Sequence, residues 1–265
     1  MAAAVLISTD ARGVATLTLN RPDKHNAFDG ETLAQLGEHL RALDADRNVR
    51  VAVLTGSGKT FCSGADLGAM RALAGASEAE NLEDASRLAS VLALLAGSSK
   101  PTVARINGNA FGGGVGLVAC CDIAVAVDSA RFALTEVRLG LVPAAISPYV
   151  VATIGTRQAR RYALTGEAIA ADAALKLGLV HELVGANSLD TKVEEVLAEL
   201  LKGGPQAQRE CKELIREVAP TLGAPSEAVR RATAQRLARL RVSEEGQEGM
   251  GAFLEKRPAR WTIPG

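Results

Sequence analysis

The sequence predicts an α/β protein whose last quarter is helical. Three observations carry that expectation. Short apolar runs closed by glycine or a polar residue alternate with stretches whose leucines recur at helical spacing. VRVAVLTG (49–56) is a short continuous apolar run closed by glycine, the mark of a strand buried on both faces, and TVARIN (102–107) and DIAVAV (122–127) read as further strands. From about residue 190 the strands stop, and VEEVLAELL, ECKELIREV, SEAVRRATAQRLARL and EEGQEGMGAFLEKR follow as successive helical stretches. The expected division is an α/β core over 1–190 and a helical region over 191–265.

In chain order, AVLIS and VATLTLN (14–20) read as paired strands around the turn Asp10-Ala11-Arg12-Gly13. RPDKHNAFDGE is a loop, and Asp29 is placed to cap a helix that buries Leu33, Leu36, Leu40 and Leu43. VRVAVLTG is the next strand. A long amphipathic helix through Leu82, Ala85, Leu88, Leu92 and Leu95 follows, closed by Pro101. TVARIN then leads into a glycine cluster, a helix through Val115 to Cys120, and the strand DIAVAV.

Composition excludes several function classes. Thirty basic and thirty acidic residues leave a net charge of zero, so no global field draws the chain to nucleic acid or an anionic membrane. Aromatic residues at 3% argue against base-stacking platforms. Cys62, Cys120, Cys121 and Cys211 show no CxxC spacing, and none of His25, His39 and His181 lies near the cysteine pair, so neither a disulfide framework nor a metal site is expected. The thiols read as reduced and the compartment as cytoplasmic. MAAAVLISTDARG lacks the basic and long apolar regions of a signal peptide, and no apolar run approaches a membrane span.

Three local patterns fail as motifs. TGSGKT (55–60) would need a glycine at position 53 to be a phosphate-binding P-loop, and that residue is Val53. The CSG of residues 62–64 follows Phe61, so it is no nucleophile elbow. His181-Glu182 has Gly185 where a second metal-binding histidine would stand.

The informative stretches are FCSGADL (61–67), NAFGGGVG (109–116) and FALTEVRLGLVP (132–143). A loop that opens a helix presents unpaired N–H groups, and glycines let a ligand approach them. Two such loops converging would form an oxyanion hole, in which one donor contributes about 3–4 kcal/mol to transition-state stabilisation. The same glycines would also let a helix pack tightly on the sheet, and the residues alone leave both readings open. Glu136 reads either as a cap or paired surface charge, or as a partly desolvated carboxylate tuned for proton transfer.

RPDKHNAF, FCSGADL, INGNAFGGG, CDIAVAVDSARFALTE, LGLVP, LTGEAIAADAALKLGLVHELV and EGMGAFLEKRP together resemble the crotonase, or enoyl-CoA hydratase/isomerase, family, collinearly over nearly the whole chain. The resemblance implies a spiral of ββα turns with a C-terminal trimerisation region, in a homotrimer or a hexamer made of two trimers. It implies an acyl-CoA thioester as substrate, with coenzyme A part of that substrate and no separate cofactor. By motif position Ala65 and Gly113 become the N–H donors to the thioester oxygen. Lys24, Asn26 and Ala27 fall in the segment that lines the coenzyme A pocket, together with Ala65. Phe253 and Lys256 resemble residues that reach a neighbouring subunit's nucleotide.

One departure matters. The family's hydratases use two glutamates, of which the second is present as Glu136 and the first falls on Gly116. A closer resemblance is to bacterial members assigned as methylglutaconyl-CoA and isohexenylglutaconyl-CoA hydratases, whose substrates carry a β branch and an extra carboxylate. It implies that Gly116 makes room for the branch and that Arg138 pairs with the substrate acid. A glutamate at Gly116 would repel that acid by about 4 kcal/mol at 4 Å and an effective dielectric of 20. The expected activity is therefore a branched enoyl-CoA hydratase, with a single-glutamate isomerase and a weakly catalytic thioester-binding paralogue as alternatives.

Overall fold

The computed structural model describes residues 3–219 and 226–262. Antiparallel β1 (Val5–Thr9) and β2 (Val14–Leu19) open the chain. The Asp29 side chain accepts the Thr32 N–H at 2.9 Å and starts α1 (Gly30–Ala45), which buries Leu33, Leu36, Leu40 and Leu43 as their spacing predicts.

A ββα unit then repeats. β3 (Val51–Gly56) and β4 (Thr60–Cys62) precede α2 (Leu67–Ala74) and α3 (Glu78–Gly97). β5 (Thr102–Ile106) and β6 (Asn109–Phe111) precede α4 (Gly113–Cys120). β7 (Ile123–Val127) and β8 (Arg131–Ala133) precede a 3₁₀ turn, Glu136–Leu139, and α5 (Ser147–Thr165). β9 (Ile169–Ala170), α6 (Ala171–Leu177) and β10 (Glu182–Val184) complete the spiral.

Each turn adds one strand to each of two sheets, ordered β1-β2-β3-β5-β7-β10 and β4-β6-β8-β9. This is the expected spiral of ββα turns. The large sheet is parallel from β2 onward, and β3 is buried at every position, which explains its unbroken apolar sequence. The small sheet was not legible in the sequence. β4, β6 and β8 have three residues each, too few to display a period, and so they read as loops. The expected long helix is α3, held off α2 by a Ser77–Glu80 capping box.

Helices α7 (Leu189–Lys202), α8 (Pro205–Val218), α9 (Glu227–Arg241) and α10 (Glu244–Glu255) follow the last strand. Arg50 ties this region to the core. Its guanidinium donates to the carbonyls of Gly203 and Trp261, both at 2.8 Å, and so satisfies chain ends that helix geometry leaves open. Val242, Phe253 and Leu254 are exposed on or between the last two helices. Among the described residues no helix is long and apolar enough to cross a membrane.

Candidate active site

Strands β4, β6 and β8 run parallel, so the segments after them leave the small sheet at one edge. Ligands of α/β folds gather outside the carboxyl ends of parallel strands. FCSGADL, the glycine cluster and Glu136 all emerge there, which is why stretches of sequence 70 residues apart form one site.

The glycine cluster turns β6 directly into α4. Gly112 donates to Ala133 O at 2.9 Å, and Gly113 is the first helical residue, whose N–H has no partner within the helix. Across from it, Phe28 and Ala65 form a parallel bridge in which Phe28 N–H donates to Gly64 O and Asp66 N–H to Phe28 O, both at 2.9 Å. The bridge uses the groups on either side of Ala65 and leaves the Ala65 N–H itself free. Among the described residues neither Ala65 N–H nor Gly113 N–H meets an acceptor. The two loops touch: a β-carbon on Gly64 would lie 2.9 Å from Phe111 O and 3.6 Å from Gly113 N. A β-carbon on Gly113 would overlap the tip of the Phe28 ring and lie 2.8 Å from its Cε1, so only glycine lets the helix start against this ring.

Glu136 begins the 3₁₀ turn that follows β8. Its Oε1 would stand 3.2 Å from a β-carbon on Gly112, which places the carboxyl beside the start of α4. Its Oε2 is buried, and among the described residues it has no hydrogen-bond partner. Burial pushes the pKa of this carboxyl up, with its own backbone N–H offsetting part of the rise. A buried acceptor without a donor costs about 1–3 kcal/mol, a cost tolerated where a substrate or water supplies the partner. Two open N–H groups and a basic, partly desolvated carboxylate at one sheet edge can hold an oxyanion and move a proton.

Beside Ala65 lies an open cleft of about 530 Å³, lined by Lys24, Ala27, Ser63, Ala65 and Leu67 among others. Lys24 is half-exposed, with its Nζ 3.0 Å from Asp66 Oδ2.

The enoyl-CoA hydratase/isomerase family model matches residues 9–263. The chain belongs to that family. It is 33% identical to the 2,3-dehydroadipyl-CoA hydratase of Escherichia coli K12, over 95% of this chain and 96% of that protein. It is 32% identical to the crotonyl-CoA hydratase of Syntrophomonas wolfei, over 94% of each. Among solved structures, an enoyl-CoA hydratase from Shewanella pealeana superposes with a TM-score of 0.93 at 40% identity, over 97% of this chain and 96% of that one. The enoyl-CoA hydratase expected from the sequence agrees with the family and with the names of these relatives.

This family member keeps the two loops and Glu136 together, but the structure changes the reading of Gly116, Arg138 and Asn26. The space over Gly116 is not open for a substrate branch. A β-carbon there would overlap Ile146 Cγ2, lie 2.9 Å from Ile146 Cβ and stand 3.4 Å from Leu92 Cδ2. Ile146, buried at the start of α5, fills the volume that a side chain at Gly116 would take. Arg138 does not join Glu136. Two residues on in a 3₁₀ turn is a rotation of about 240°, and Arg138 is exposed with its Nε lying along Gly166 at the end of α5. Asn26 is buried rather than lining the cleft. Its Oδ1 accepts from Arg21 N–H at 2.9 Å and its Nδ2 donates to Ser57 O and Thr60 O, so it holds the loop in shape. Phe253 and Lys256, expected at a neighbouring subunit's nucleotide, do not line the cleft of their own chain; Phe253 is exposed on α10, and Lys256 ends that helix in the left-handed conformation.

Sequence reasoning missed Phe28, Asp66 and Ile146. Phe28 closes the quoted segment RPDKHNAF, and Asp66 before LGAM carries a helix-cap signature, so both had a local signal. Ile146 had none, because nothing near it in sequence announces a contact thirty residues back.

Proposed function

We propose that the chain adds water across the 2,3 double bond of a 2-enoyl-CoA thioester. The observation that carries this reading is the Glu136 carboxyl beside Gly112, whose Oε2 is buried with no hydrogen-bond partner among the described residues, at the edge where the Ala65 and Gly113 N–H groups open. The thioester oxygen sits between the two N–H groups, where charge that collects on it during addition is stabilised. Glu136 orients a water and takes its proton as the oxygen bonds to the β carbon. The electron pair of the double bond moves to the enolate, and the same proton then returns to the α carbon. The raised pKa keeps the two proton transfers closer to balance than an exposed carboxylate would. Coenzyme A enters as part of the substrate, its charged end in the cleft beside Lys24, and the chemistry needs no other cofactor.

The finer reading is a branched acyl group with its own carboxylate, of the 3-methylglutaconyl kind. Its support is electrostatic rather than steric: with glycine at 116 and Ile146 above it, position 116 supplies no second carboxylate to repel a substrate acid. The 2,3-dehydroadipyl-CoA hydratase relative is likewise named for a diacid thioester. The same single carboxylate supports one rival, double-bond isomerisation, which needs one base to carry a proton between the α and γ carbons. Assembly as a trimer or hexamer belongs to this reading and is supported by exposed Val242, Phe253 and Leu254.

Incubation with a linear 2-enoyl-CoA, a 3-enoyl-CoA and 3-methylglutaconyl-CoA decides between them. Gain of one water by mass is the expected result, greatest with the branched diacid. A double-bond shift without mass change, seen by NMR, selects isomerisation. Binding of all three without turnover would leave only a thioester-binding protein.

A further inference from the structure

Asp66 directly follows the Ala65 donor and is buried, yet its carboxylate gathers four donors from two segments. Oδ1 accepts the N–H groups of Gly68 at 2.7 Å and Ala69 at 3.1 Å and so caps α2. A helix cap needs nothing more. Oδ2 accepts Arg21 Nη2 and Lys24 Nζ, each at 3.0 Å, from the segment that forms the other wall of the cleft. Arg21 is itself anchored, donating to Ala27 O at 2.7 Å and lying 2.9 Å from Asp29 Oδ2 at the start of α1. The Lys24 hydrogen bond, with the capped N–H groups, holds the Asp66 carboxyl down at about 2, so this carboxylate is charged at neutral pH.

We propose that Asp66 is a positioning residue for the oxyanion: its ion cluster with Arg21 and Lys24 sets the direction of the Ala65 N–H and couples that donor to the wall of the coenzyme A cleft. The Ala65 N–H lies in the Gly64–Ala65 peptide plane, whose Gly64 O accepts from Phe28 N–H, and the next plane carries the Asp66 N–H, which donates to Phe28 O. The hold on Asp66 fixes that second plane and so limits rotation about the Ala65 backbone that joins the two. Hydrogen bonds weaken steeply once the donor angle falls below about 120°, and oxyanion donors act only when aimed in advance. The inference rests on the proposed thioester site, and its test separates the two.

The test reads the thioester carbonyl itself. Butyryl-CoA labelled with ¹³C at the carbonyl binds without reacting, and its infrared band moves to lower wavenumber when the oxygen accepts hydrogen bonds. Asp66→Ser keeps a good helix cap and removes the ion cluster. The expected result is a folded protein that loses at least half of the wild-type band shift and at least tenfold in kcat, with KM changed much less. Arg21→Lys, which leaves the Asp66 cap and charge in place and removes the guanidinium fork, should lose band shift in the same direction, and it carries the test if Asp66→Ser fails to fold. A full wild-type shift in folded Asp66→Ser or in Arg21→Lys, with kcat within twofold, overturns the role of Asp66 alone. A wild-type protein that binds butyryl-CoA without moving the band overturns the oxyanion site and the inference together.

Discussion

Gly116→Ala tests whether Ile146 truly occupies the place of the missing carboxylate. In the interior of an ordinary helix this change stabilises by about 1 kcal/mol, because alanine loses less backbone entropy than glycine. Here the added methyl would overlap Ile146 Cγ2 and stand 2.9 Å from its Cβ, inside a fully buried layer that includes Leu92 and Leu117. Overpacking of this kind costs about 1–3 kcal/mol. The overlap offsets the gain, and the variant should be less stable than the parent by up to about 2 kcal/mol. Ile146→Ala alone should cost about 2–4 kcal/mol by leaving a cavity. Combined with Gly116→Ala it should cost less than the sum by at least about 1 kcal/mol, since one change vacates the space that the other needs. Urea denaturation of the four proteins gives the cycle, read as midpoints at constant slope. A Gly116→Ala variant with a raised midpoint, or a double variant that is simply additive, would refute the packing argument. Gly116→Glu suffers the same overlap and adds a buried carboxylate, so its loss of activity would say nothing of substrate charge.

Glu136→Gln should lower turnover by about 10²–10⁴-fold while raising stability at neutral pH, because the neutral amide spares the desolvation of a buried charge. The sign follows from linkage. With the folded pKa raised above the unfolded one, Glu136 stabilises the fold fully below the ordinary value near 4.5 and less as pH climbs through the raised folded value. The acid limb of kcat in the parent should accordingly lie above 4.5 and vanish in the variant; a limb at the ordinary carboxylate value would contradict burial of Glu136. Gly113→Ala would drive a methyl into the Phe28 ring and turn the helix start, so kcat should fall by about 10²–10³-fold, as for a lost oxyanion donor. Normal turnover in that variant, measured with intact far-UV circular dichroism, would remove Gly113 from the site.

The segments that make up the candidate site were legible in the sequence. FCSGADL and NAFGGGVG announced open backbone, and the single acid in FALTEVRLGLVP was Glu136. These features are local: a glycine run that opens a helix exposes the same N–H groups whatever the rest of the fold does. The α/β class and the buried faces of α1 and α3 followed from periodicity, which is also local. The directions of Asn26 and Arg138 were not legible in the same way, because a side chain's direction depends on partners far away. Asn26 turns inward to carbonyls of Ser57 and Thr60, over thirty residues on, and Arg138 lies along Gly166.

The sequence by itself determined that one carboxylate, two glycine-rich loops and no second glutamate were present. It could not say that three parallel three-residue strands bring those loops to one edge, because strands so short leave no period to read. Nor could it say what fills the space over Gly116. Glycine records only that a side chain is missing, and both an open pocket and a neighbour's side chain are consistent with that. The packing of α5 against α4 decided for Ile146, a contact thirty residues apart that exists only once the spiral has closed.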